Sequence, residues 1–423
     1  MLEKLGVTRA GQRLRGVFYG WWVLLGSVCV QVITSGFTVH SFGAYIAVMK
    51  DEFGWSTTAL SAAFALQQAA GGFLGPVIGW LIGRVGARYV IRSGLVIFAA
   101  GVALLSLVQS LSGLYACVFV IAVGGALAGF LPLNTVAVQW FTRWRSTALA
   151  LMQTGISVGG LIVPAVAWAL ETFGWRPTAV ATGALALLIG VPLTYLIGNR
   201  PEDYGLEPDG KAAPVGSGAA PALAGRDYTA SEALKTRAFW CIGVGHALAL
   251  MVVFAVSAHL IIFLKQDAGF SLSLAGTVVA LMTSMSIVGQ LLGGFLGDRF
   301  NKRLIAIGAM FGHAGALLML AYGGTLPWVL AFAVVHGLSW GLRGPIMQSI
   351  RADYFGRQHF GQIMGYSSVI VTVGIVSGPL IAGGMADAFG SYRPGFTLLA
   401  SLAALGTGFF VLATPPKKLT PDE

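Results

Sequence analysis

The sequence predicts an all-α integral membrane protein, with twelve transmembrane helices arranged as two pseudo-symmetric six-helix bundles. Three observations carry this. Of 423 residues, 56% are hydrophobic and only 10% charged, whereas soluble domains carry roughly a quarter charged residues. Apolar segments recur at about the 20 residues needed to cross a hydrocarbon core of roughly 30 Å. The chain also matches itself across a polar break near its middle.

The spans are expected near 18–48, 56–82, 88–108, 113–139, 146–169, 177–197, 238–264, 271–297, 303–321, 327–351, 361–386 and 392–413. Their long runs rich in Gly and Ala favour helices over barrel strands, which would alternate over about ten residues. The net charge of +10 does not point to nucleic acid, because the basic residues are distributed by loop rather than gathered on one soluble face. With a cytoplasmic N-terminus, 21 Lys and Arg residues fall on the inside and only Lys50, Arg176, Lys265 and Arg393 outside, with Arg343 left within a helix. That asymmetry places both termini in the cytoplasm by the positive-inside rule, and the expected location is a bacterial inner membrane. The basic start followed by an apolar run reads as the first span rather than a signal peptide, since no small-residue cleavage site follows. Cys29, Cys117 and Cys241 all fall within helices without metal-ligand spacing.

Between Asn199 and Ala233 the hydrophobic pattern gives way to Pro, Gly, Ala and charge, notably over Lys211 to Gly218 and Pro221 to Gly225. The expected organisation is an N-terminal bundle over 1–198, a cytoplasmic linker over 199–235 and a C-terminal bundle over 236–423. The halves match at a nearly constant offset. Gly79-Trp80-Leu81 aligns with Gly294-Phe295-Leu296 at 215, Trp140-Phe141 with Tyr354-Phe355 at 214, and Pro164 with Pro379 at 215.

Gly294-Phe295-Leu296-Gly297-Asp298-Arg299-Phe300-Asn301-Lys302-Arg303 resembles the loop signature of the major facilitator superfamily, roughly Gly-x-Leu-x-Asp-Arg-x-Gly-Arg-Arg. The first-half copy, Gly79 to Arg88, has Gly83 at the acidic position. The resemblance implies a conformational latch made of Asp298, Arg299, Arg303, Arg84 and Arg88, in which the acid sits at a helix N-terminus favoured by the macrodipole. Within the superfamily, Tyr19-Gly20-Trp21-Trp22, His40-Ser41-Phe42-Gly43, Trp140-Phe141 with Arg143 and Arg145, and Thr236-Arg237-Ala238-Phe239-Trp240 resemble the monocarboxylate porter and oxalate/formate antiporter branch. The superfamily resemblance implies that the first, fourth, seventh and tenth helices line a central path.

Ionisable groups in hydrocarbon are expensive, so those present face a cavity or a partner. All sixteen Asp and Glu residues fall in loops, tails or helix ends, which leaves His40, His246, His259, His313, His336 and Arg343 inside. Arg343 lies roughly 6 Å past the middle of the tenth helix, too deep for easy snorkelling. Its guanidinium offers a bidentate fork to a carboxylate. His336, Trp340, Arg343 and Met347 share one helix face, with Gly337, Gly341 and Gly344 in a stripe beside it. The branch places a charged lysine in its first helix where this chain has His40, a group that titrates near neutral pH. The repeat counterpart of His40 is His259, at an offset of 219. The arginine usual in the branch's eighth helix is replaced by Gln290. Asn134, with Gln139, Gln67, Gln68 and Gln153, adds amides able to orient a ligand. Gly155, Gly159 and Gly160 before Pro164, and Gly374 and Gly378 before Pro379, form candidate hinges in the fifth and eleventh helices.

The expected function is alternating-access secondary transport of a small organic anion, with a monocarboxylate as the leading candidate, coupled to protons or to anion exchange. Substrate contacts are assigned to Arg343, His40, Gln290, Asn134, His336, Trp340 and His259. The expected protein is monomeric in the lipid bilayer and needs no cofactor, metal or nucleic acid. Two rivals are an exporter of amphiphilic or aromatic compounds, suggested by Trp340, Phe37 and the missing eighth-helix arginine, and a non-transporting membrane receptor. No enzyme site can be assembled, since no metal cluster, activated nucleophile or paired carboxylates come together in the sequence.

Overall fold

The computed structural model describes residues 17–210, 226–417 and 419. Lys4, Arg9, Arg13, Arg15, Lys211, Lys418 and the linker stretches 211–218 and 221–225 lie outside the described residues. Helices dominate, and the described residues contain one isolated β-bridge, between Arg226 and Leu419. Eleven helices among them are long and apolar enough to cross a membrane. The remaining expected span, over 56–82, is divided at Leu74 into Thr57–Phe73 and Gly75–Val85, neither of which meets that length alone.

The division has a backbone cause. Pro76 has no N–H, so the Gly72 carbonyl loses its usual donor. Ser368 of the eleventh span supplies the replacement, its hydroxyl donating to the Gly72 carbonyl at 2.9 Å. Other spans are also interrupted: the first by a π-helical segment at Gly36–Ser41, the fourth at Gly129, the fifth by a 3-10 turn at Gly160–Ile162. The eleventh span, Phe360–Phe389, stays continuous around Pro379, so the two expected hinges differ in kind.

Glycine sets the helix spacing. In the eighth span (Leu272–Gly297) and the tenth (Leu326–Phe355), a Cβ on Gly289, Gly293, Gly337 or Gly341 would lie 2.0–2.5 Å from a carbonyl oxygen of the other helix. The two backbones therefore touch directly, as packing without a hydrophobic driving force favours.

The same contact repeats in each half. Gly155 and Gly159 of the fifth span pack on the Val28 and Val32 carbonyls, and Gly374 and Gly378 pack on those of Ala247 and Met251. These pairs correspond at an offset of 219, so packing matches Gly159 to Gly378. The sequence alignment through Pro164 and Pro379, at 215, is one helical turn away from this correspondence.

The halves meet through small residues. Gly75 and Gly79 of the second span pack against Gly365 and Gly361 of the eleventh, and Gly294 and Gly297 of the eighth pack against Thr147 and Ser146 of the fifth. Both contacts run toward the face that carries the linker.

Candidate functional site

The tenth span carries the most unusual chemistry in the molecule. Arg343 is 1% exposed, and its Nε and Nη1 have no hydrogen-bond partner. Among the described residues no ion pair includes it. Its neighbour Gly344 lies against the Gln153 side chain of the other half, which places this stretch where the fifth, eighth and tenth spans converge. Gln290, one turn before Gly294, packs its backbone against Gly341. Gln153 Nε2, Gln290 Oε1, Asn134 Oδ1, Gln31 Oε1 and Gln348 Oε1 are also buried without a partner. Buried polar groups are nearly always satisfied, so a group of orphans that includes a guanidinium sets this stretch apart from the rest of the bundle.

The other predicted residues each have a partner of their own or are only half-buried. Asn134 donates from Nδ2 to the Phe130 carbonyl of its own helix at 2.6 Å, leaving its oxygen free. His336 does not stand alone on its face: its Nδ1 lies 3.3 Å from Nδ1 of His313 on the ninth span, Lys302–Gly323, with Phe332 packed alongside. Trp340 is half-buried. His40 donates from Nε2 to the Ile156 carbonyl at 2.9 Å, and His259 donates from Nε2 to the Pro379 carbonyl at 3.0 Å. Each repeat thus ties its first helix to the backbone of its fifth through a histidine.

Arg351 departs from its expected place. Counted among the loop charges of the linker face, it is instead 1% exposed, donating to the Met347 carbonyl at 2.8 Å and to His246 Nδ1 at 3.1 Å. The reason is that the tenth helix continues to Phe355, one turn beyond the sequence estimate, and carries Arg351 inward. His246, His313 and Arg351 are the interior groups that periodicity on single helices could not pair. Their signal is cross-helix, and it lies in rotation and register.

At the linker face, the Asp298 carboxylate accepts from the Ser146 and Thr147 N–H groups at 2.8 and 3.0 Å and from the Thr147 hydroxyl at 2.6 Å. Ser146 donates to the Ser349 hydroxyl at 2.9 Å, and Asp353 pairs with both Arg145 and Lys302. Gln139 and Arg357 exchange side-chain and backbone hydrogen bonds between halves. Arg299 covers the Phe295 ring of its own span at 3.7 Å and lies 5.9 Å from the Trp144 ring of the other half, while Arg303 donates its N–H to the Asn301 side chain. The two arginines of the first-half copy make these contacts within their own half: Arg84 covers Trp80, and Arg88 donates its N–H to Asn199 and covers Tyr195. Gly83 faces only the Gln362 amide, beside a cavity of about 450 Å³ also lined by Arg200 and His359.

The linker repeats this symmetry. Asp209 accepts from the backbone N–H groups of Thr142 and Arg143, and Asp227 from those of Arg357 and Gln358. Each acid caps the equivalent loop of one half.

The sequence matches the family described as Major Facilitator Superfamily over residues 24–342, and again over 242–423. The chain belongs to the Major Facilitator Superfamily. Among curated superfamily relatives, monocarboxylate transporter 11 of Homo sapiens is 28% identical over 410 residues, covering 93% of this chain and 82% of that protein. The hexuronate transporter of Escherichia coli (strain K12) is 24% identical over 399 residues, covering 91% and 92%. The crystal structure of the human organic anion transporter MFSD10 (TETRAN) superposes with a TM-score of 0.68 at 15% identity, covering 92% of this chain and 98% of that one. This superfamily member is therefore an integral membrane transporter.

Proposed function

We propose that this superfamily member moves a small organic anion, a monocarboxylate first among the candidates, with Arg343 as the group that holds its charge. The observation that carries the reading is the Arg343 guanidinium, buried with two nitrogens unpartnered and, among the described residues, in no ion pair. An uncompensated buried charge costs several kcal/mol. A carboxylate arriving on the fork supplies both the missing charge and the missing acceptors. Gln290 and Asn134, each with an orphaned amide oxygen, orient the remainder of the ligand. The names of the monocarboxylate, hexuronate and organic anion transporters it resembles support an anionic cargo.

With both termini cytoplasmic, the bonds around Asp298 and Asp353 close the cytoplasmic side, and rocking of the halves exposes the site alternately to each face. The anion crosses with a proton or in exchange for a second anion. The test is uptake of labelled organic acids into proteoliposomes. Arg343→Gln is expected to lower it at least tenfold while the purified protein keeps a monodisperse elution profile. Unchanged uptake by that variant removes Arg343 from the site.

A further inference from the structure

We infer that His313 and His336 together form the proton-binding site that couples the anion to a proton, an inference that rests on the anion reading of Arg343. Both rings are fully buried, and their Nδ1 atoms lie 3.3 Å apart. One Nδ1–H therefore donates to the other ring's Nδ1. In the neutral pair the accepting ring carries its proton on Nε2, and the donating ring keeps a lone pair on its own Nε2. Neither Nε2 has a hydrogen-bond partner. The structure thus holds, out of water, one orphaned donor and one orphaned acceptor. The vacant lone pair is where a third proton lands, turning the donating ring into an imidazolium without disturbing the bond between the rings.

The surroundings make this proton answer to the ligand. No Asp or Glu lies within the ninth or tenth span near the pair, Asp353 being at the far end of the tenth. The eighth span, packed against the tenth, contains no ionisable residue. The seventh brings His246, which is occupied by Arg351. The twelfth, packed on the ninth, has Arg393 at its end as its one ionisable group. The remaining charge facing the pair is Arg343, two turns along the helix from His336, about 10 Å by helical rise. An anion on Arg343 cancels that charge and makes room for one positive charge at the pair. By linkage, the proton in turn strengthens anion binding by the same factor. The loaded site then carries an anion and a proton together, and both leave together. His40 is placed differently: its Nε2 is held by the Ile156 carbonyl.

The experiment uses the purified full chain in proteoliposomes, with L-lactate and D-glucuronate as probes. Two modes are compared: exchange with no pH gradient, and accumulation driven by an inward proton gradient. Wild type is expected to accumulate about tenfold per pH unit, the one-proton limit. The His313→Gln variant, which removes the ring that is not among the assigned substrate contacts, is expected to exchange within about threefold of wild type, with its gradient-driven accumulation falling to about one. Accumulation unchanged in that variant overturns the proton site, as does a wild type that exchanges but ignores the gradient; both leave the anion reading standing. A wild type that neither exchanges nor accumulates either acid brings down the anion reading and this inference with it. Should the variant fail to fold, calorimetry of wild type in two buffers of different ionisation enthalpy decides: about one proton taken up per anion supports the pair, and none overturns it.

Discussion

Asp298 reaches from the end of the eighth span to the start of the fifth, where its carboxylate accepts from both the backbone N–H and the hydroxyl of Thr147. A helix N-terminus presents unsatisfied N–H groups and a partial positive charge, so a carboxylate there is doubly favoured. The bond joins the two halves, and under the proposed alternating access it must break when the linker face opens.

Asp298→Asn keeps the size but removes the charge. Charge-assisted hydrogen bonds are worth about 1.5–3 kcal/mol, so the closed population should fall roughly ten- to a hundredfold relative to the open one. Spin-label distances across the linker face, between the second and eleventh spans, should lengthen accordingly.

Gly83 occupies the equivalent place in the first half, opposite the Gln362 amide. Gly83→Asp would give the eleventh span an acid at its start, with only a flexible side-chain end to displace. Helix N-terminal acids contribute about 0.3–1 kcal/mol. The thermal midpoint should rise by up to about a degree, and turnover should slow if the proposed transport cycle breaks the added contact. A scan of both quantities on one preparation checks this.

Gly341 tests the backbone contact beneath Arg343. A Cβ there would sit 2.0 Å from the Ser286 carbonyl oxygen, which belongs to a helix backbone and cannot swing away. Gly341→Ala should destabilise by about 1–3 kcal/mol, as overpacking does. Gly276, whose Cβ would meet no atom within 4 Å, should accept Ala with little change. Melting curves of the two variants make the comparison.

Glu232 provides a pH prediction outside the membrane. The Arg226 guanidinium, with Thr229, holds its carboxyl down to about 2 from 4.5. The folded value lies below the unfolded one, so the cap's contribution is complete above about 4.5 and is lost as pH falls through about 2. The stability gap between wild type and Glu232→Gln should therefore hold constant from pH 7 to 5 and shrink below that. Hydrogen exchange of the Ala230–Leu234 turn against pH measures it.

The architecture was legible because hydropathy and charge asymmetry are properties of segments, and segments survive any rotation of the helices. The acid in the second loop motif, Asp298, was legible because a short motif fixes its position along the chain. The pairing of His336 with His313 was not. It depends on the relative rotation of the ninth and tenth helices, which glycine contacts such as Gly312 on Ser339 set in three dimensions. Arg351 was misplaced for a related reason, since one further turn of helix converts a loop cation into a buried one. Arg343 stood out in the sequence because a lone cation deep in an apolar helix needs no partner to be conspicuous. That two of its nitrogens lack a partner among the described residues depends on how the helices pack, which no single segment records.

The most direct measurement is a thermal-shift comparison of wild type and Arg343→Gln against organic acids and their uncharged amides. A ligand that binds only the native protein raises its midpoint with concentration. At least one acid should stabilise wild type, its amide should not, and Arg343→Gln should lose the response while melting as a folded protein. An acid that stabilises both proteins equally, or amides and amines that act where acids do not, would contradict an anion held by Arg343.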